Sequence, residues 1–116
     1  MADIITTPIA KRWQGEDPGL KKLIAAISYD YERRADLLAT GTPSRRVRME
    51  LAYLNSKILD AAAEIVGTRL ASTFIDELGG GIGYAKSAVD CMSEVTYKKY
   101  KAEVACNIAR KLYLFE

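Results

Sequence analysis

The stretch Val47-Arg48-Met49-Glu50-Leu51-Ala52-Tyr53-Leu54-Asn55-Ser56-Lys57-Ile58-Leu59-Asp60-Ala61-Ala62-Ala63-Glu64-Ile65 carries the most regular apolar pattern in the chain. Val47, Leu51, Leu54, Ile58, Ala61 and Ile65 alternate steps of four and three without a break, which predicts a long helix with a heptad-like seam. Thr42-Pro43 ahead of it supplies a cap residue followed by a proline, so the helix is expected to open there. A seam of this length needs cover. One source is the preceding helix, folded back across the short connection from Ala39 to Ser44. The other is a second copy of the chain, with Val47, Leu51, Leu54, Ile58 and Ile65 as the oligomer seam of a homodimer.

Upstream, Leu20, Leu23, Ile24, Ile27, Tyr31, Ala35 and Leu38 trace one amphipathic stripe, opened by Asp17-Pro18 and closed by Gly41. Residues 1 to 16 show no period and read as an N-terminal arm, in which Trp13 is the expected anchor onto the domain or onto a second subunit. Downstream, Leu70, Ala71, Phe74, Ile75 and Leu78 resume the helical spacing after Gly67-Thr68, which either interrupts the long helix or weakens it. A short helix is expected from Tyr84 to Cys91. Ser93 then caps a final helix whose apolar line is Tyr97, Tyr100, Val104, Ile108 and Leu112. No segment alternates like a strand. The expectation is an all-α domain of four to five helices over residues 17–116, with a helical body at 17–78, a glycine link at 79–83 and a helix-turn-helix-like pair at 84–116. Within the body, residues 18–66 form the helical hairpin.

A chain of 116 residues supports one modest core, and a net charge of +2 advertises neither nucleic acid nor acidic partners by itself. No apolar run approaches the roughly 18 residues of a membrane span, and no signal-peptide pattern opens the chain, so a cytoplasmic protein is expected. Histidine is absent. That removes Ser-His and Cys-His nucleophile pairs and most metal motifs, and Cys91 and Cys106 read as small core residues. No catalytic residue, metal, cofactor or small-molecule substrate is expected, and the chain does not read as an enzyme.

The run Gly79-Gly80-Gly81-Ile82-Gly83-Tyr84-Ala85-Lys86-Ser87 lies one residue from the phosphate loop G-x-x-x-x-G-K-[ST]. Its surroundings fail the comparison, because a helix ending in Asp76-Glu77 stands where a buried strand is needed. Gly79 or Gly80 is instead expected to take positive φ at a helix end. The surplus glycines serve a mobile link or a close packing of helices.

Two helices joined by a short turn outline a helix-turn-helix, whose second helix offers its first turns to base edges. Here that helix begins Ser93-Glu94-Val95-Thr96-Tyr97-Lys98-Lys99-Tyr100-Lys101, with Ser93, Glu94, Thr96, Lys98 and Lys99 facing outward. The segment from Met92 through Lys101, continuing to Ile108-Ala109-Arg110-Lys111-Leu112, resembles the recognition helix of small phage-encoded transcription regulators of the ArpU kind, which are related in form to the DNA-reading region of sigma factors. The resemblance covers about the last 30 residues. It implies a regulator that binds double-stranded DNA, with Ser93, Glu94, Lys98 and Lys99 at base edges or phosphates. Thr96 and Lys101, on the same helix, are DNA-binding candidates with them. Arg45, Arg46 and Arg48, which open the long helix against its dipole, are candidates for phosphate contact or for pairing with acids such as Asp36. The alternative function is a non-enzymatic helical interaction or assembly module.

Overall fold

A computed structural model describes residues 18–114 and is all-α, with no strand among them. The helices are α1 (Pro18–Tyr29), α2 (Tyr31–Thr40), α3 (Arg45–Val66), α4 (Thr68–Gly80) and α5 (Glu94–Lys111), with one 3-10 turn at Tyr84–Lys86. Trp13 and the N-terminal arm lie outside the described residues. No helix among the described residues is long and apolar enough to cross a membrane.

The single helix expected upstream of Gly41 is a bent pair, α1 and α2, hinged at Asp30. Asp30 closes one helix and opens the next: its N–H donates to the Ala26 carbonyl (3.1 Å) and its carbonyl accepts from Arg34 N–H (3.0 Å). Within that hinge the Arg34 side chain reaches back and donates to the Ile27 carbonyl (2.8 Å), an insertion into the helical ladder of the kind that kinks helices. Gly41 ends the pair as expected, at φ 69°.

The helix start expected at Thr42 falls at Ser44, whose hydroxyl accepts from Val47 N–H (3.4 Å). Gly67 does interrupt: its φ of 84° with ψ of 161° is open to glycine alone, and it separates α3 from α4. The glycine with positive φ after α4 is Gly81, at 66°, whereas Gly79 and Gly80 are helical. Gly79 serves close packing instead. A Cβ there would meet the backbone nitrogen and Cα of Tyr29 (the latter at 2.6 Å) and the Ser28 carbonyl carbon at 2.8 Å.

Ile24, Ile58, Ala61, Ala62, Phe74, Ile75, Tyr97, Val104 and Ile108 form the centre of the core. The α3 seam is covered from inside the chain, chiefly by α4 and α5, with α2 crossing at Asn55. Ile58 is fully buried, and Leu54 and Ile65 pack against the core. The expected homodimer seam is therefore spent within one chain over most of its length, and only its Val47 end is uncovered. Cys106 is a core residue, as expected, and burial pushes its thiol up to about 12. Cys91 is exposed instead, because the segment around it is loop.

The C-terminal end of α5 has an unusual residue. Leu114 N–H donates to the Ala109 carbonyl (2.8 Å) and Tyr113 N–H to that of Arg110 (3.1 Å), the paired pattern that normally places glycine where Tyr113 sits. Tyr113 takes φ 58°, the one positive value at a non-glycine residue among those described. A left-handed tyrosine costs roughly 1 kcal/mol, while glycine carries its own unfolded-state entropy. Tyr113→Gly is therefore expected to leave stability unchanged or raise it by up to about 1 kcal/mol in urea denaturation. A clear loss would show that the fold needs the ring.

Candidate functional site

The candidate DNA residues of α5 are largely engaged. Ser93 is its N-cap: the hydroxyl accepts from Thr96 N–H (3.3 Å) and lies 3.1 Å from the Thr96 hydroxyl. Lys98 pairs with Glu94 one turn back, at 2.8 Å. Lys101 is half-buried and donates to the Ile82 carbonyl (2.6 Å), while Lys99 is exposed, over the Tyr100 ring, with no ion pair among the described residues. Arg45, Arg46 and Arg48 are all exposed, and Arg46 approaches Glu50 at 3.6 Å rather than Asp36.

These two basic groups are not on one surface. Lys57 Nζ donates to the Lys111 carbonyl (3.4 Å) and Asn107 Nδ2 to the Ala61 carbonyl (2.8 Å), so numbers rise along α3 as they fall along α5. The antiparallel pair puts Arg45–Arg48 at one end and Ser93–Lys99 at the other. At about 1.5 Å per residue the two groups are roughly 40 Å apart. The short helix expected over Tyr84–Cys91 also shrinks to the 3-10 turn Tyr84–Lys86 followed by loop, so the two-helix outline expected of that helix with α5 is not formed.

What organises that loop is a buried carboxylate. Glu77 is 3% exposed and accepts from the Ser87 hydroxyl (2.5 Å), Ala88 N–H (2.7 Å) and the Tyr97 hydroxyl (2.7 Å). Its backbone carbonyl accepts from Ile82 N–H as well (3.0 Å). Burial pushes the carboxyl up, but the hydrogen bonds from Ser87, Tyr97 and Ala88, with the Lys101 charge, outweigh it and hold Glu77 below the ordinary carboxylate range. Burial first, then the bond to Glu77, pushes the Tyr97 hydroxyl up to about 12. With Tyr97 only 1% exposed, the cluster is closed from solvent and acts as a clamp that ties loop 81–93 to α4 and α5. The sequence did carry one signal for it: Glu77 sits three residues after Phe74 and seven after Leu70, on the edge of the apolar stripe.

A second buried ion is also satisfied. Arg34 donates to Asn55 Oδ1 (2.6 Å), Asp30 Oδ2 (3.1 Å) and the Ile27 carbonyl. It borders an open depression of about 500 Å³ with Ala25, Tyr29, Asp30 and Gly79, and there its charge is already answered by Asp30.

The free end of α3 is different. Met49 and Tyr53 are 63% and 64% exposed, and Tyr113, at the end of α5, is 86% exposed. Lys57 joins them: its ammonium lies 5.0 Å from the Tyr53 ring centroid and 4.8 Å from that of Tyr113. Val47 and Leu114 add apolar surface at the same end of the α3–α5 pair. Exposed apolar residues are ordinary singly, as Val95 is, whereas here the Tyr53 and Tyr113 rings flank one cation. No family model, curated protein or solved structure matches the chain.

Proposed function

We propose that the chain is a non-enzymatic helical interaction module that docks onto another protein chain through the free end of α3 and the adjoining end of α5. The observation that carries this reading is the Met49–Tyr53–Lys57–Tyr113 group, in which Met49, Tyr53 and Tyr113 are exposed, Lys57 is half-buried and Tyr113 is held by a backbone conformation that tyrosine disfavours. Aromatic residues and methionine are the types enriched where protein surfaces meet. Duplex DNA binding, the function implied by the resemblance, draws support from the exposure of Lys98 and Lys99 and of Arg45, Arg46 and Arg48, which lie at opposite ends of the α3–α5 pair. A cytoplasmic setting goes with an exposed and unbridged Cys91.

Site-specific photo-crosslinking tests the reading. A photoreactive residue at Tyr53 is expected to yield a covalent protein adduct in the cells that make the chain, and the same residue at Val95 none. Adducts only at Val95, or only with DNA from a probe at Lys99, would overturn it.

A further inference from the structure

Outside the core seam, α3 carries a second stripe. Arg46, Met49, Tyr53, Lys57, Asp60 and Glu64 recur at steps of three and four, which places them on one face, opposite Ile58 and Ala62. The stripe changes sign along its length. Arg46, exposed and 3.6 Å from Glu50, stands at its head and Asp60, exposed and without an ion pair among the described residues, at its tail. Glu64 is already held by Lys111 and Asn107. Between head and tail lie Met49 and Tyr53.

From this pattern we infer that the module's partner is a second copy of the chain, packed with its α3 antiparallel to the first about a two-fold axis at Tyr53. The inference rests on the interaction reading above. A two-fold axis at Tyr53 pairs positions that sum to 106, so Arg46 of each copy meets Asp60 of the other and the two Tyr53 rings meet at the centre. Met49 of each copy then falls beside Lys57, where Tyr113 offers its ring to the thioether. A parallel pairing sets Arg46 on Arg46 and Asp60 on Asp60. An acidic peptide complements the arginines but is repelled by Asp60, whereas the antiparallel copy satisfies both ends.

Sedimentation equilibrium of the full chain over a wide concentration range tests the arrangement, with helicity by circular dichroism as the check on folding. The wild type is expected to show a reversible monomer–dimer equilibrium, and Tyr53→Asp only monomer. Arg46→Asp and Asp60→Arg each place like charges at both symmetric contacts and are expected to weaken the dimer about tenfold. An equimolar mixture of those two variants restores opposite charge at both contacts, as does the double variant Arg46→Asp/Asp60→Arg, and each is expected to recover wild-type affinity. A wild type that stays monomeric, single reversals without effect, or a mixture no tighter than its components would overturn the inference. The interaction reading fails separately: a monomeric chain whose Tyr53 probe still captures a different protein loses the second copy but keeps the docking surface. A Tyr53 probe that captures nothing removes both.

Discussion

Glu77→Ala is expected to destabilise the protein by about 3 to 5 kcal/mol, because three donors, the Ser87 and Tyr97 hydroxyls and Ala88 N–H, lose their acceptor where little water can replace it. That is a large share of the roughly 5 to 15 kcal/mol by which a domain is usually stable. Urea denaturation measures the loss, and a change below about 1 kcal/mol would mean that loop 81–93 does not depend on the clamp. The charge itself has a pH signature. Since the folded carboxyl lies below its ordinary range, its contribution is present above the unfolded value of about 4.3 and is lost as pH falls through the folded one. Glu77→Gln keeps the shape and one acceptor oxygen but does not titrate. The stability difference between wild type and Glu77→Gln should therefore shrink on going from pH 7 toward pH 3, and a difference that stays constant would show that the carboxylate's charge is irrelevant.

Gly79→Ala is the second large effect, expected at about 3 kcal/mol. The added methyl group meets the backbone of Ser28 and Tyr29, and backbone atoms cannot rotate aside as a flexible side chain does. α1 and α4 must separate for it to fit. Gly80→Ala provides the contrast, since its Cβ would meet only the Ile82 side chain at 3.6 Å. There the better helix propensity of alanine is expected to leave stability level or raised by up to about 1 kcal/mol. Thermal or urea unfolding of the two variants side by side decides the point: equal effects would mean that the close approach of Gly79 to Ser28 and Tyr29 has no packing role.

Both positions lie in or beside the glycine run, and they show where reading the sequence stops. Four glycines in five residues pointed to a turn, a link or a close contact, and two of these descriptions apply to different members. Gly81 takes the left-handed turn and Gly79 the close contact. Which glycine does which depends on where α1 lies, and α1 is some fifty residues away in sequence. The same holds for Asp76-Glu77, a pair alike on paper. Asp76 faces solvent, while Glu77 is turned inward to meet Ser87 and Tyr97, ten and twenty residues later.

Local signals did determine local structure. The four–three alternation from Val47 to Ile65 makes α3, Gly41 ends α2, Ser93 caps α5, and Tyr97, Val104 and Ile108 face inward from it. Each depends on helical period or on a cap, and both act within one or two turns of chain. Tertiary structure decided what covers what. Whether the α3 seam was closed by its own chain or by another depended on α4 and α5 reaching it, and they cover it from Leu54 onward while leaving Val47, Met49 and Tyr53 outside. The antiparallel setting of α3 and α5 likewise parted Arg45–Arg48 from Lys98 and Lys99, and brought Tyr113 to Lys57. Helical period fixes which residues share a face, but the face a helix finally leaves to solvent is set by long-range packing.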